Sequence, residues 1–456
     1  MRTSWLNYWQ KLTTSSIDRQ IFSAAFTVAV FTAVVKLASI VKEILVAWQF
    51  GTDDSLDAFF IALVIPSLAI NVVAGSLNAA FIPTYIRVRD REGFVSAQKL
   101  FANTSIFSSF LLVLATLTVA TTAPCYLKVI ASGFPPEKLE LTCKLLWSIA
   151  PLICLSGIRT IWGAVLNAWE KFALAAVAPI LTPLVSIVLL YSFPGWGVFA
   201  LTIGLLMGTL LELVILAVIL RKQKLIIYPR WSGLDANLRQ IINQYIPAAA
   251  GALLICSAMP IDQSMAAMLS PGSVAALNYG NRLIASPISL LSTALGTAVI
   301  PYFSKMIAAE NWQDLQGTLR KYLGLIFAGT VPLAIGLMVF SKPIIELMLQ
   351  RGSFTATDTQ MVVPIQTLYA LQIPFYLANI LLVRLINSLN QNKTLFYLSA
   401  ANLTINVVLN YLFMQWLGII GIALSTSCVY IFSFLYALVF THRALKTKVT
   451  QFKKYS

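Results

Sequence analysis

The sequence predicts an all-α polytopic membrane protein with about 12 transmembrane helices, arranged as two six-helix pseudo-repeat lobes around a central cavity. Composition is the first observation: the 456-residue chain is 58% hydrophobic and only 11% charged, with a mean hydropathy of +0.81. Soluble domains carry about a quarter charged residues, so a soluble globular protein is excluded. The second observation is the length of the apolar runs, which suit helices of ~20 residues better than the short alternating strands of a membrane barrel.

Twelve apolar segments are long enough to cross the bilayer as helices. Several of them contain Pro or Gly, which is typical of tilted or broken membrane helices. In chain order, we predict the spans at residues 21–48, 57–86, 97–123, 141–168, 172–192, 197–220, 240–268, 273–304, 319–340, 360–388, 395–415 and 418–441.

The basic residues are distributed unevenly between alternate loops. With a cytoplasmic N-terminus, the inside segments hold 22 of the 32 Lys and Arg residues, and the outside segments hold five. Cytoplasmic loops are the ones enriched in Lys and Arg, so both termini are predicted to be cytoplasmic. This topology accounts for the net charge of +15 without a nucleic-acid partner.

Two pairs of similar segments indicate an internal repeat. AAFIPTYIR at 79–87 resembles TAVIPYFSK at 297–305, and GVFAL at 197–201 resembles GIAL at 421–424, with offsets of 218 and 224 residues. Transporters with parallel repeats bind substrate between their lobes and alternate access by rocking. The predicted domains are an interfacial N-terminal segment at 1–20, an N-lobe at 21–220, a cytoplasmic basic linker at 221–239, a C-lobe at 240–441 and a basic cytoplasmic tail at 442–456.

Several kinds of chemistry are disfavoured by the residue inventory. The five Cys form no CxxC motif, and the chain has one His, so neither a disulfide framework nor a His-based metal site is indicated. No GxxxxGK[ST] loop is present, which excludes an ATP-driven pump within this chain. No cofactor is predicted, and the energy source would be Na⁺ or proton coupling or the membrane potential.

Charged residues inside predicted spans are functional candidates because each costs several kcal/mol in lipid. Lys36 and Lys42 lie in the first span with Glu43, and either Glu43 neutralises a lysine or the group forms a cationic wall for an anionic substrate. Arg282 in the eighth span has no carboxylate within a turn, which favours a phosphate ligand. Arg159 and Arg384 are expected to reach the membrane interface instead.

Three further polar residues in spans could bind a cation. Asp262 follows a Pro, where a broken helix exposes carbonyl oxygens. Asn406 and Asn410 lie four residues apart on one helix face, and hydrogen bonding between helices is an equally good explanation for them.

Longer motifs resemble one known family. SIVKEILVAWQFGTDDSLDAFFIALVIPS and GSLNAAFIPTY resemble the opening of the MurJ/MviN family of lipid II flippases. In the second half, DQSMAAMLSPGSVAALNYGNRLIASP, SKPIIELMLQRGSFTATDT and GIIGIALSTS support the same resemblance, which covers residues from about 30 to 441. It implies the fold of the multidrug/oligosaccharidyl-lipid/polysaccharide exporter superfamily.

The resemblance also implies roles for particular residues. Its substrate-binding positions correspond to Lys36, Lys42, Glu43, Asp57 and Arg282. In members with a sodium site, the metal ligands correspond to Asp262, Asn406, Asn410 and Thr426.

The sequence departs from the family pattern at several of these positions. Lysines replace both first-helix arginines, and lysine keeps the charge without the bidentate fork. The second-helix Arg pair is missing from PSLAINVVAGSLNAAF, and Ala285 stands where the family has an acid.

We therefore predict a flippase, not an enzyme, that moves a polyprenyl-diphosphate-linked glycan such as lipid II, the peptidoglycan precursor, across a bacterial inner membrane. Its partners would be this lipid-linked glycan and membrane lipids, with no nucleic acid. Three alternatives stay open: a flippase for an exopolysaccharide or O-antigen repeat unit, an exporter of cationic drugs, and a membrane glycosyltransferase or polymerase. The last is disfavoured because the chain lacks paired catalytic carboxylates.

Overall fold

The computed structural model describes residues 17–169, 171–225, 231–389 and 391–455. Residues 1–16, which make up most of the predicted interfacial segment at 1–20, lie outside the described residues. Residues 226–230 of the predicted linker lie outside them as well.

The described chain is almost entirely helical and contains no β-strand. In chain order, the α-helices are α1 Ile17–Phe50, α2 Asp54–Ala69, α3 Ser76–Glu92, α4 Phe94–Ile130, α5 Pro136–Ile149, α6 Pro151–Ala168, α7 Phe172–Val177, α8 Leu181–Ser192, α9 Val198–Lys222, α10 Ala236–Cys256, α11 Ala258–Ala266, α12 Ser273–Ala308, α13 Trp312–Val339, α14 Ser341–Met348, α15 Ala356–Ala370, α16 Gln372–Ser388, α17 Asn392–Leu417 and α18 Ile419–Tyr455. Two 3₁₀ turns precede α8 and α9, and a π-helical segment, Ile70–Gly75, joins α2 to α3.

Ten continuous helical stretches of the described chain are long and apolar enough to cross a membrane. They correspond to ten of the twelve predicted spans, and the other two predicted spans, 21–48 and 273–304, are the helices α1 and α12. The prediction of an all-α polytopic membrane protein is confirmed. The predicted tail at 442–456 continues the last helix as far as Tyr455.

The chain forms two compact units, and α1, α12, α14 and α15 contribute residues to both. The 34–277 unit contains Val34–Leu277 and Met348–Thr359. The 278–456 unit contains Asn278–Leu347 together with the described parts of Met1–Ala33 and Gln360–Ser456. The lobe boundaries predicted above stay predictions.

In the 34–277 unit, α8 and α9 approach each other closely along a stripe of small residues. Gly204 and Gly208 of α9 are four residues apart, and a Cβ built on either would collide with Ser186 or Thr182 of α8. Small residues at this spacing let two membrane helices pack backbone against backbone. Both glycines are therefore required by packing.

The described end of the linker is held against the same unit. The Asn103 carboxamide on α4 is buried; its Oδ1 accepts from the Ser232 backbone N–H at 2.9 Å, and its Nδ2 donates to the Gly233 carbonyl at 3.1 Å. Asp235 then caps α10 by accepting the Leu238 N–H at 2.7 Å. These bonds fix where α10 begins.

The 278–456 unit is held together by aromatic and amide contacts. Phe327, Phe375 and Phe434 pack ring against ring with centroids 5.4 to 5.8 Å apart. Ser433 of α18 accepts hydrogen bonds from the amides of Asn379 on α16 and Asn402 on α17, at 3.0 and 3.1 Å. Three helices thus meet at one buried hydroxyl.

Candidate functional site

Asp57 lies at the centre of a buried polar cluster near the beginning of α2. Its side chain is 1% exposed, and Oδ2 and Oδ1 accept the backbone N–H groups of Gly272 and Ala275 at 2.8 and 2.7 Å. The Lys138 ammonium lies 2.9 Å from Oδ2 and also contacts Asp54. Because the two amides lie at the N-terminus of α12, one just before the helix and one in its first turn, the carboxylate caps that helix and interacts favourably with its dipole.

A second set of hydrogen bonds caps the C-terminal end of α1, and its donors come from a segment some 300 residues later in the chain. The Ser353 N–H donates to the Trp48 carbonyl at 2.8 Å, and the Ser353 hydroxyl donates to the Gln49 carbonyl at 3.0 Å. These carbonyls are ones that a helix end leaves unpaired. Gly51 and Gly352 have positive φ angles of 57° and 56°, and a Cβ on either would meet the opposite backbone. Glycine is therefore required at both positions.

We call residues 51–57, 272–275 and 352–358, with Lys138, the clasp. Thr52 bridges its parts, because its hydroxyl bonds Asp358 and its carbonyl lies against Gly272. The clasp joins the segments TDDSLD, SPGSV and RGSFTATD, which were singled out by sequence resemblance. Both Asp57 oxygens are engaged by backbone amides and Lys138, so the geometry favours a role in holding the clasp; the predicted substrate role of Asp57 stays a prediction.

The predicted cationic group on α1 lies in the 34–277 unit. Lys42 Nζ is 2.7 Å from Glu43 Oε1, and these side chains are 18% and 15% exposed. Lys36 is half-buried, and its side chain forms no hydrogen bond or ion pair with any described residue. An ammonium in an apolar helix needs water or an anion beside it, so Lys36 is suited to bind an anionic ligand.

Arg282 lies two and a half turns into α12, in the 278–456 unit. Its side chain is half-buried and engaged in contacts within the protein. The proposed phosphate role of Arg282 therefore stays a prediction.

The predicted sodium ligands fall into both units. Asp262, 8% exposed, belongs to α11 of the 34–277 unit. Asn406 and Asn410 are buried on α17, where the Asn410 amide lies 3.4 Å from the Asn406 carboxamide oxygen. Ser425 of α18 lies 3.4 Å from the Asn406 carbonyl, and Thr426 donates to its own helix at Ile422. The described residues contain no cluster of three His, Cys, Asp or Glu side chains that could hold a metal.

One ion pair was missed by sequence reasoning. Arg159 of α6 was expected to reach the membrane interface, but its Nη1 lies 3.0 Å from Oε2 of Glu212 on α9. Thr182 of α8 donates to the other carboxylate oxygen at 2.6 Å. Glu212 is fully buried, whereas the Arg159 side chain is 32% exposed. The sequence feature that could have indicated this ion pair is the presence of an acid and an arginine in predicted spans of the same lobe.

Comparison with known proteins gives a consistent result. The family model described as "Lipid II flippase MurJ" matches residues 46–456. A probable lipid II flippase MurJ from Synechocystis sp. is 26% identical over 432 residues, covering 91% of this chain and 80% of that protein. One from Thermotoga maritima is 26% identical over 429 residues, covering 92% and 85%.

Solved structures show the same fold. The inward closed conformation of a lipid II flippase MurJ is similar with a TM-score of 0.78 and 24% identity, covering 91% of this chain and 87% of that chain. An inward-facing multidrug transporter of the MATE family, in the MOP superfamily, also gives a TM-score of 0.78, with 14% identity and coverages of 92% and 99%.

Proposed function

The chain belongs to the MurJ family, and on that premise we propose that it moves lipid II, a polyprenyl-diphosphate-linked glycan, across the bacterial inner membrane. A flippase is a transporter and catalyses no covalent step, so the family does not support the enzyme alternative. The relatives from Synechocystis and Thermotoga are both named as lipid II flippases, which favours lipid II over an exopolysaccharide or O-antigen unit.

The observation that carries the proposal is the pair of lysines in α1. Lys36 and Lys42 lie six residues apart within a largely apolar helix, and Lys36 has no anionic partner among the described residues. A diphosphate would supply the negative charge that this segment lacks. We propose that both lysines contact the diphosphate, with Glu43 holding the Lys42 ammonium. Separately, we propose that Arg282 of the 278–456 unit binds phosphate. The lipid tail would remain in the bilayer.

We also propose cation coupling as the energy source. Asp262, Asn406, Asn410 and Thr426 offer carboxylate, amide and hydroxyl oxygens, which are the donors that hard cations prefer. Asn406, Asn410 and Thr426, which share the 278–456 unit, would bind Na⁺ there, and cation binding would drive the transport cycle. Replacing Na⁺ by K⁺ at constant pH is expected to slow transport in the assay below, and an unchanged rate would assign the coupling to protons or to the membrane potential.

Complementation tests the proposed cargo. We would express this chain in bacteria depleted of their own lipid II flippase and measure the lipid II that is accessible from outside. The wild-type chain is expected to restore growth and the amount of externally accessible lipid II. At normal protein abundance, Lys36→Gln/Lys42→Gln and Arg282→Ala are each expected to lose at least about 90% of that accessible lipid II, because an ion pair with phosphate contributes roughly ten- to hundred-fold to affinity.

Two control variants make the result specific. Lys36→Arg/Lys42→Arg keeps both charges and is expected to remain active. Lys144→Gln removes a cation whose side chain is 58% exposed and is expected to have no effect. If the wild-type chain is folded in the membrane and lipid II stays inside, lipid II is not its cargo.

A further inference from the structure

The ion pair between Arg159 and Glu212 lies several turns inside its helices. Arg159 is eight residues after Pro151 and nine before Ala168, so about 12–14 Å of helix separates it from each end of α6. Glu212 is ten residues before the end of α9 at Lys222, or about 15 Å. Both helices belong to predicted membrane spans, 141–168 and 197–220, and the pair lies about 12–14 Å from the predicted cytoplasmic ends of these spans, so it is expected within the hydrocarbon region.

The exposed part of Arg159 must face water or a ligand. Its guanidinium bonds a fully buried carboxylate at 3.0 Å, so it does not extend toward the membrane surface. One third of the side chain is nevertheless exposed, and contact of a guanidinium with lipid tails would cost several kcal/mol. The space beside Arg159 is therefore polar. A Cβ built on Gly163, one turn further along α6, would meet no atom within 4 Å, so the same helix is open there.

The guanidinium keeps most of its hydrogen-bonding capacity. It has five N–H donors, and among the described residues only Nη1 is engaged, by Glu212. Glu212 in turn is held on its second oxygen by Thr182. A fixed fork of N–H donors facing a polar space is the arrangement that binds phosphate oxygens bidentately. The neighbouring π segment Ile70–Gly75, against which α6 packs, contains no cation of its own.

We propose that Arg159 is a further phosphate-binding residue of the 34–277 unit, and that Glu212 and Thr182 are positioning residues that hold its guanidinium. The ligand is the diphosphate of a polyprenyl-linked substrate, so the inference rests on the proposed function. It assigns to α6 a bidentate phosphate contact that the lysines of α1 cannot supply.

A binding measurement tests this assignment without transport. We would titrate the purified full-length protein, in nanodiscs of neutral lipid, with undecaprenyl diphosphate and follow thermal unfolding in parallel. Arg159→Gln/Glu212→Gln leaves a neutral pair of similar size, which avoids stranding a buried charge. This double variant is expected to fold normally and to bind roughly ten- to hundred-fold more weakly. Wild-type affinity in this variant would overturn the proposal.

Further variants keep the test decisive. Arg159→Lys retains the positive charge without the forked N–H donors, and it is used if the double variant does not fold. It is expected to bind undecaprenyl diphosphate at least about threefold more weakly than the wild-type protein. Thr182→Val removes a hydrogen bond to a fully buried carboxylate, so it is expected to lower thermal stability and also to weaken binding by the folded protein about threefold. Thr182→Ser is expected to restore both, whereas a purely structural role would lower stability and leave the affinity of the folded protein unchanged.

The outcomes separate this inference from the proposed function. If the wild-type protein does not bind undecaprenyl diphosphate, or Lys36→Gln/Lys42→Gln binds it normally, the proposed function itself fails. If only the Arg159 variants bind normally, this inference alone fails. Titration with phosphatidylglycerol tests whether the phosphate comes from a membrane lipid instead. If the Arg159 variants lose binding only to that phospholipid, Arg159 binds membrane lipid and the proposal is overturned.

Discussion

Asp54 and Asp57 are three positions apart on α2 and contact the same ammonium, that of Lys138. Their surroundings differ, because the Asp54 side chain is 50% exposed and the Asp57 side chain is 1% exposed. Asp54 is solvated by water even without its partner, whereas Asp57 relies on Lys138 and on two backbone amides at the N-terminus of α12. Sequence reasoning identified Asp57 by resemblance, but it could not identify these partners, since burial and contacts across 80 to 220 residues depend on the folded chain.

The difference predicts unequal effects of the two alanine substitutions. Asp57→Ala leaves the buried Lys138 ammonium without its buried carboxylate partner. The substitution is expected to lower the free energy of unfolding by about 3–5 kcal/mol. Asp54→Ala removes an exposed charge and is expected to cost about 1 kcal/mol or less. Thermal unfolding of the purified variants in one detergent would measure both. Equal shifts in the midpoint would contradict the burial argument.

At the scale of helices, the sequence predicts the spans well for a physical reason. A chain in lipid must satisfy its backbone hydrogen bonds within each helix, so apolar length alone identifies a span. The π-helical segment Ile70–Gly75 was not predicted, since a one-turn widening depends on how neighbouring helices pack. The Arg159–Glu212 pair was missed for a similar reason, because span prediction does not specify which helix faces are adjacent.

The close approach of α8 and α9 predicts that size matters on one face of α9. Gly208→Leu would push its side chain into the Thr182 backbone and is expected to cost at least about 1–3 kcal/mol of stability. Gly336→Leu on α13 is the matched control, because a Cβ there meets no atom within 4 Å. The comparison is made by thermal unfolding and by the yield of folded protein. A control as unstable as Gly208→Leu would show that leucine is harmful irrespective of packing.

At the scale of the whole molecule, the distribution of Lys and Arg predicts an orientation. Lys144 lies at the outer end of the span predicted at 141–168, and Lys222 lies in the predicted cytoplasmic linker; both are exposed in the structure. In a variant without the five native cysteines, Lys144→Cys is expected to react with a membrane-impermeant maleimide in intact spheroplasts. Lys222→Cys is expected to react only after permeabilisation. Labelling in the opposite order would reverse the proposed topology.

The clasp also determines when the 34–277 unit can be completed during synthesis. Ser353 closes the end of α1 from 304 residues away, so α1 leaves the ribosome long before its cap exists. At about 5–20 residues per second, the delay is roughly 15 to 60 s. During that interval the carbonyls of Trp48 and Gln49 lack their partners, and a nascent chain that ends before residue 353 never gains them. Biogenesis of this unit therefore depends on the last third of the message, and its maturation is expected to be sensitive to stalling within that region.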